Sequence, residues 1–191
     1  MLYPLPAVMV SCGDTPENYN VLTVAWTGTI ASDPPLCYVS VRKRRHSHEI
    51  ILRNKEFVIN LTTEKLVDKT DFCGVRSGRD LNKWKILNLT PERGQVVKAP
   101  LIAESPVNLE CKVLEVKEFK SHDMFIAEVV AVNVDETFMD ENMQELRMDK
   151  MDLITYLHGK YYSIGRKLGF FGYSVQKKKK KHKERKCMKE R

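Results

Sequence analysis

Residues 20–61 contain, in order, Asn20-Val-Leu-Thr-Val-Ala-Trp-Thr-Gly-Thr29, then Asp33-Pro34-Pro35, then Leu36 to Arg42, then Arg44-Arg45-His46-Ser47-His48, and finally Glu56-Phe57-Val58-Ile59-Asn60-Leu61. Val21–Thr27 is rich in Val, Thr and Trp, Leu36–Val41 alternates around Cys37, Val39 and Val41, and the Asp-Pro-Pro run separates them. Two strands are predicted, with a third at Phe57–Leu61. Ser47 precedes Ile50, Ile51 and Leu52 and is predicted to N-cap a helix over Ser47–Asn54, whose first amides would point toward Arg45 and His46. Helix N-termini favour anions through unpaired N–H groups, and Arg adds a permanently charged, forked donor set. Strands, basic turn and helix start thus predict a phosphate pocket beside a flat surface for a planar ring. Spacing alone allows a second reading equally well, in which Arg42–Arg45 is a solvated charge run and Ser47 does no more than cap a helix.

The order of these pieces resembles the flavin reductase-like family, and its flavoredoxin branch in particular. The resemblance rests on Asn20, Val24–Gly28, Asp33–Pro35, Ser40–Arg42, Ser47 and Phe57–Asn60, then on Ser77-Gly78-Arg79-Asp80-Leu81-Asn82-Lys83-Trp84 and Gly159-Lys160-Tyr161-Tyr162-Ser163-Ile164-Gly165. It covers most of residues 1–174. It implies an FMN-binding Greek-key split β-barrel that works as a homodimer. It also implies roles: Ala25, Trp26, Thr27 and Gly28 against the ring or ribityl chain, Ser40, Val41 and Arg42 along the middle, and Arg45, His46 and Ser47 at the phosphate. Lys83 of the Asp-x-x-Lys-Trp motif would approach the flavin.

Composition fits this picture without requiring it. At 191 residues and 42% hydrophobic content, one globular domain with a substantial core is expected, spanning residues 1–176. No apolar run reaches about 18 residues and no signal-peptide pattern opens the chain, so a cytoplasmic protein is expected. Five cysteines form no Cys-x-x-Cys pair and five histidines are scattered, so neither zinc nor another metal is expected. Cys37 and Cys111 lie in strand-like runs and read as small buried apolar residues. The net charge of +7 belongs to the end of the chain: residues 177–191 hold ten Lys or Arg and two Glu, leaving residues 1–176 at −1. That segment reads as a disordered basic tail, and no dedicated nucleic-acid or membrane partner is expected for it.

Further along, Leu66, Val67, Thr70 and Cys73 predict a helix over Glu64–Gly74, capped by Thr62 or Thr63 and ended by Gly74. Leu81, Trp84 and Ile86 or Leu87 predict a short amphipathic helix with Trp84 as packing. Val107–Phe119 and Met124–Asp135 predict an antiparallel hairpin. Its second run is apolar on both faces, as at a barrel wall that also meets a second subunit. Asp140–Asp152 reads as a partly ordered excursion. The glycines of residues 159–174 form no dinucleotide fingerprint and sit among aromatic residues. They predict an aromatic segment that closes over the barrel, with Tyr161 as the candidate for cofactor contact.

The chain is therefore expected to be mainly β with a few short helices. Three functions compete: an FMN-dependent oxidoreductase of the flavin reductase type using NADH or NADPH, a flavoredoxin-like electron-transfer protein with a redox-protein donor, and a nucleic-acid or anionic-surface binder acting through the tail. No catalytic triad or paired carboxylates stand out. FMN would bring its own redox chemistry.

Overall fold

A computed structural model describes residues 2–142 and 144–176. The basic segment 177–191, expected to be a disordered tail, lies outside the described residues. Along the chain the strands and helices are β1 (Leu5–Pro6), β2 (Val8–Cys12), β3 (Asn20–Val24), β4 (Thr27–Ser32), β5 (Pro35–Arg42), α1 (His46–Asn54), β6 (Glu56–Leu61), α2 (Val67–Val75) and α3 (Lys83–Leu87). They continue with β7 (Pro91–Glu92), β8 (Leu101–Ile102), β9 (Val107–Glu118), β10 (His122–Val134), β11 (Ile154–Leu157) and β12 (Lys160–Ser163). No helix among the described residues is long and apolar enough to cross a membrane.

Seven strands make one antiparallel sheet in the order β3-β2-β6-β9-β10-β5-β4. Alternation drives one face of each strand inward. In β5, Cys37, Val39 and Val41 are buried while their neighbours are not. These residues meet Val8, Val10, Leu22, Val24, Phe57, Ile59, Phe125 and Ala127 in a single cluster, which the sheet can enclose only by curling on itself. Strands β3 and β4, at the two sheet edges, are not paired to each other. The result is a split barrel with Greek-key crossovers, as expected from the sequence. The Cys37 and Cys111 thiols lie 3.7 Å apart inside this core, in the packing role expected for them.

The β9–β10 hairpin forms as expected, with β-bulges at Ile126/Ala127 and Val129/Ala131. The bulges break the simple alternation. Val130 packs against the small cluster of Val58, Val97, Ala99 and Leu101, while Val132 stays exposed. Trp84 packs with Met9, Val21, Leu66, Cys73 and Ile102, again as expected.

Several local expectations are corrected. The strand predicted over Val21–Thr27 is two strands, because the chain crosses from one sheet edge to the other at Ala25-Trp26. Ser47 is not the N-cap: α1 starts one residue earlier, Arg45 holds the cap position without a side-chain bond, and Ser47 is buried in the first turn. The helix predicted over Glu64–Gly74 is a 3-10 turn at Glu64–Leu66 followed by α2, and neither Thr62 nor Thr63 caps it through its side chain. Thr62 donates instead to the Ala7 carbonyl. Gly74 does not stop α2. A Cβ there would sit 3.3 Å from Cβ of Thr23, so the glycine lets the helix lie close on β3. The third predicted helix is shorter, starting at Lys83 with Asn82 capping the Lys85 amide at 3.1 Å.

The aromatic segment does not close over the barrel. Tyr161 and Tyr162 join β12, which pairs with β11 and, through it, with β1. Beyond Ser163 the chain turns outward, and Leu168, Phe171 and Val175 are exposed.

Candidate functional site

The split between the sheet edges opens into two joined cavities. One, of 410 Å³, is lined by Ala25 and Trp26 from the β3–β4 crossing, by Ser40, Val41 and Arg42 at the end of β5, and by Tyr161. The other, of 470 Å³, is lined by His46 and Ser47 from α1, by Lys83, and by Arg44 and Arg76. Arg45, Leu22, Gly74 and Val75 line both. Ten of the twelve expected site residues are thereby brought to one cleft. Thr27 and Gly28 are the exceptions: Thr27 spends its hydroxyl on the Tyr38 carbonyl at 2.6 Å, and Gly28 lies against the Tyr38 ring.

The second cavity is cationic. Arg44, Arg45, Arg76 and Lys83 line it, and among the described residues no carboxylate does. Burial first, and then the neighbouring Arg44 and Arg42, hold the Arg45 pKa below its ordinary value. Burial, followed by Arg79, likewise lowers His46, whose Nδ1 has no hydrogen-bond partner and lies 3.9 Å from Glu49. Mutually destabilised cations in a partly dry pocket favour an anion. The first turn of α1 adds the His46 and Ser47 amides, while the His48 amide already donates to the Arg45 carbonyl at 3.0 Å.

Lys83 is 3% exposed. Its Nζ donates to the carbonyls of Val21 at 2.6 Å and Cys73 at 2.9 Å. An ammonium carries three donors, so one N–H remains for the cavity. Burial lowers the Lys83 pKa, and burial pushes the nearby Cys12 and Cys73 thiols up to about 12 and about 11. Neither thiol therefore offers a negative partner at neutral pH. The donor set fits a phosphate monoester.

Asn20 and Gly78 shape the floor. Asn20 Nδ2 donates to Ser47 Oγ at 2.7 Å, and a Cβ on Gly78 would fall 2.1 Å from Asn20 Oδ1. The loop carrying Gly78 is tied to α1 by Arg79, which pairs with Glu49 and donates to the Arg44 carbonyl at 3.2 Å.

The first cavity is aromatic. Trp26 is 50% exposed and stacks on His122, with ring centroids 4.6 Å apart and planes 31° apart. His122 lies opposite Arg42 in the β10–β5 register, and burial, then Arg42, holds its pKa below the ordinary value. Across the cavity Tyr161 Oη donates to Asp71 at 3.2 Å. Burial, with Asp71 adding to it, pushes the Tyr161 hydroxyl up to about 12, so it stays a donor. His122, Asp71 and Arg76 went unrecognised in the sequence. Arg44 stood in the basic run that pointed to the pocket, without a role of its own.

The model of the flavin reductase like domain matches residues 1–165. The chain belongs to the flavin reductase-like family. The family assignment extends over both cavities and ends where the outward-turning segment begins. Among solved structures, flavoredoxin of Desulfovibrio vulgaris (Miyazaki F) is 29% identical with a TM-score of 0.85, over 92% of this chain and 95% of that one. Flavoredoxin from Methanosarcina acetivorans is 27% identical with a TM-score of 0.82, over 92% and 95%. An FMN-binding protein from Thermus thermophilus with bound 1-cyclohex-2-enone is 26% identical with a TM-score of 0.71, over 84% and 86%.

Proposed function

We propose that this flavin reductase-like protein holds FMN and acts as an oxidoreductase, taking electrons from NADH or NADPH and passing them to flavin or another acceptor. The observation that carries the proposal is the joining of a carboxylate-free cationic cavity to an aromatic one through Arg45. FMN has the matching shape: a phosphate at one end, a polyol between, and a planar ring at the other. The similar Thermus protein is described as FMN-binding.

In this reading Arg45, Lys83, His46 and the first amides of α1 hold the phosphate. Ser47 acts from behind, by fixing Asn20. Ser40–Arg42 line the ribityl chain, and Trp26 with Ala25 and Tyr161 borders the ring. Asp71 orients Tyr161 and keeps its proton in place. Bound FMN supplies both one-electron and two-electron redox chemistry. His122, its pKa lowered by burial and then by Arg42, stacks on Trp26 at the border of the ring cavity, where a nicotinamide ring or an acceptor would enter.

A second reading is a flavoredoxin-like electron carrier with permanently held FMN and a redox-protein donor. The half-exposed Trp26 and the likeness to two flavoredoxins favour it. A homodimer belongs to both readings, supported by the exposed Leu114, Phe119 and Val132 on the β9–β10 hairpin. One experiment separates the readings: an absorbance spectrum of the FMN-loaded protein before and after anaerobic NADH or NADPH. Bleaching of the flavin band by either nucleotide supports the reductase. A band that stays oxidised until a reduced redox protein is added supports the carrier.

A further inference from the structure

Behind the phosphate end of the cleft lies a buried charged cluster with no part yet in the site. Asp123, the second residue of β10, has its Oδ2 2.7 Å from His48 Nε2 and its Oδ1 3.1 Å from Lys43 Nζ. Asp123 and His48 are both buried, and the His48 ring meets Phe125 edge-on with centroids 5.4 Å apart. Burial pushes the Asp123 carboxyl up, yet the bond from His48 and then Lys43 outweigh it and hold the group below its ordinary value. An ionised carboxylate only accepts, so His48 Nε2 carries the proton between them. Lys43 makes a further bond to Glu118 at 3.4 Å. It lines neither cavity, whereas Arg42, Arg44 and Arg45 on either side of it do.

We propose that Asp123 is a positioning residue for the phosphate end of the cleft, acting through His48 on the first turn of α1 and through Lys43 on the basic turn before it. The proposal rests on the reading of the cationic cavity as the FMN phosphate site. Two successive residues of α1 are held from opposite sides of the split: Ser47 by Asn20 of β3, and His48 by Asp123 of β10, with β2, β6 and β9 between those strands in the sheet. The helix start cannot slide toward either side without breaking a buried bond. In the turn, Arg42 to Arg45 are four consecutive cations that repel one another. Asp123 and Glu118 hold Lys43 out of the cleft, and the Arg45 amide closes the turn on the Arg42 carbonyl at 2.9 Å with the Arg45 side chain in both cavities. A buried ion pair contributes little net stability, because desolvation offsets the attraction. What this cluster supplies is a fixed geometry for the groups that meet the phosphate.

The test is fluorescence titration of the full chain with FMN and with riboflavin, which lacks the phosphate. Asp123→Ala and His48→Ala should each weaken FMN binding by roughly tenfold and leave riboflavin binding unchanged, narrowing the preference for FMN. His48→Gln, whose side-chain amide can donate to Asp123 from near the place of Nε2, should restore most of that preference. Lys43→Met, at an exposed position, should keep the fold and lose a few-fold in FMN affinity alone. Where Asp123→Ala does not fold, the His48 and Lys43 variants carry the same comparison. A cluster that only stabilises the fold gives a different pattern, in which the melting temperature falls and the two flavins lose affinity alike or not at all. Either result in folded His48→Ala overturns the proposal, as does a His48→Gln variant that prefers FMN no more than His48→Ala does. Equal binding of the two flavins by the wild type overturns the phosphate site itself, and the proposal with it, so the two failures are told apart.

Discussion

Asn20 Nδ2 donates to Ser47 Oγ at 2.7 Å, a bond between the first residue of β3 and the first turn of α1 made across 27 positions of sequence. Both residues are buried. It fixes the helix start, and with it the phosphate-facing amides, to the sheet edge that also carries the ring cavity. Gly78 rests on the same asparagine so closely that any side chain must displace it. Gly78→Ala should therefore weaken FMN binding by about tenfold through Asn20, with a loss of about 1–2 kcal/mol in stability from the disturbed buried bond. Fluorescence titration with FMN and a melting curve check both.

Arg45→Ala should weaken FMN binding by roughly tenfold to a hundredfold, since a hydrogen bond to a charged group contributes about 1.5–3 kcal/mol. Wild-type affinity in that variant, together with loss in Arg42→Ala, would move the phosphate to the other cavity.

Lys83→Met keeps the length of the side chain and removes a buried charge whose pKa burial already lowers. The apo protein should lose about 1–3 kcal/mol, because the relief of a desolvated ammonium is more than offset by the Val21 and Cys73 carbonyls that lose their donor. FMN affinity should fall by at least about tenfold. FMN titration of the folded variant, beside its melting curve, separates the ligand contact from the two carbonyl bonds.

His46 and His122 both titrate below the ordinary value of 6.5. Over the interval from that value down to their folded values, the unfolded chain binds more protons than the folded one, so the apo protein loses stability as pH falls. FMN phosphate beside His46 raises its pKa and should flatten the slope. Urea midpoints at about pH 7.5 and about pH 5.5, with and without FMN, measure it. An apo midpoint unchanged between the two would contradict the assignment.

Glu110 gives a control outside the cleft. Fully buried, its carboxylate accepts from the amides of Gln95, Val96 and Val97 and from Asn133 at 2.7–2.8 Å. Burial pushes its pKa up, yet these bonds outweigh it and hold the group below its ordinary value. Glu110→Ala should cost about 2–4 kcal/mol by leaving the amides unsatisfied, with FMN affinity of the folded protein unchanged.

The parts of the site that were legible in the sequence are those written in contiguous residues. The β5 alternation ends at Arg42, and the basic turn Arg44–Ser47 comes directly after it, so strand, cations and helix start could be placed from local pattern. The residues that escaped notice depend on pairing. His122 reaches Trp26 only because β10 lies beside β5 in a register that sets His122 opposite Arg42, and Asp71 arrives on a helix that a glycine lets settle on β3. Ser47 shows the limit most plainly. Its type and position matched an N-cap, but a partner 27 residues away competed for its hydroxyl and the helix began without a side-chain cap.

Whether one cavity takes a phosphate and the joined one takes the ring is tested most directly by comparing FMN with riboflavin, which carries the same ring and polyol without the phosphate. Titration of the apo protein should give one FMN per chain and an affinity for riboflavin lower by roughly a hundredfold or more, the loss of two or more charge-assisted bonds. Equal affinity for the two, or binding of neither, would contradict this division of the cleft.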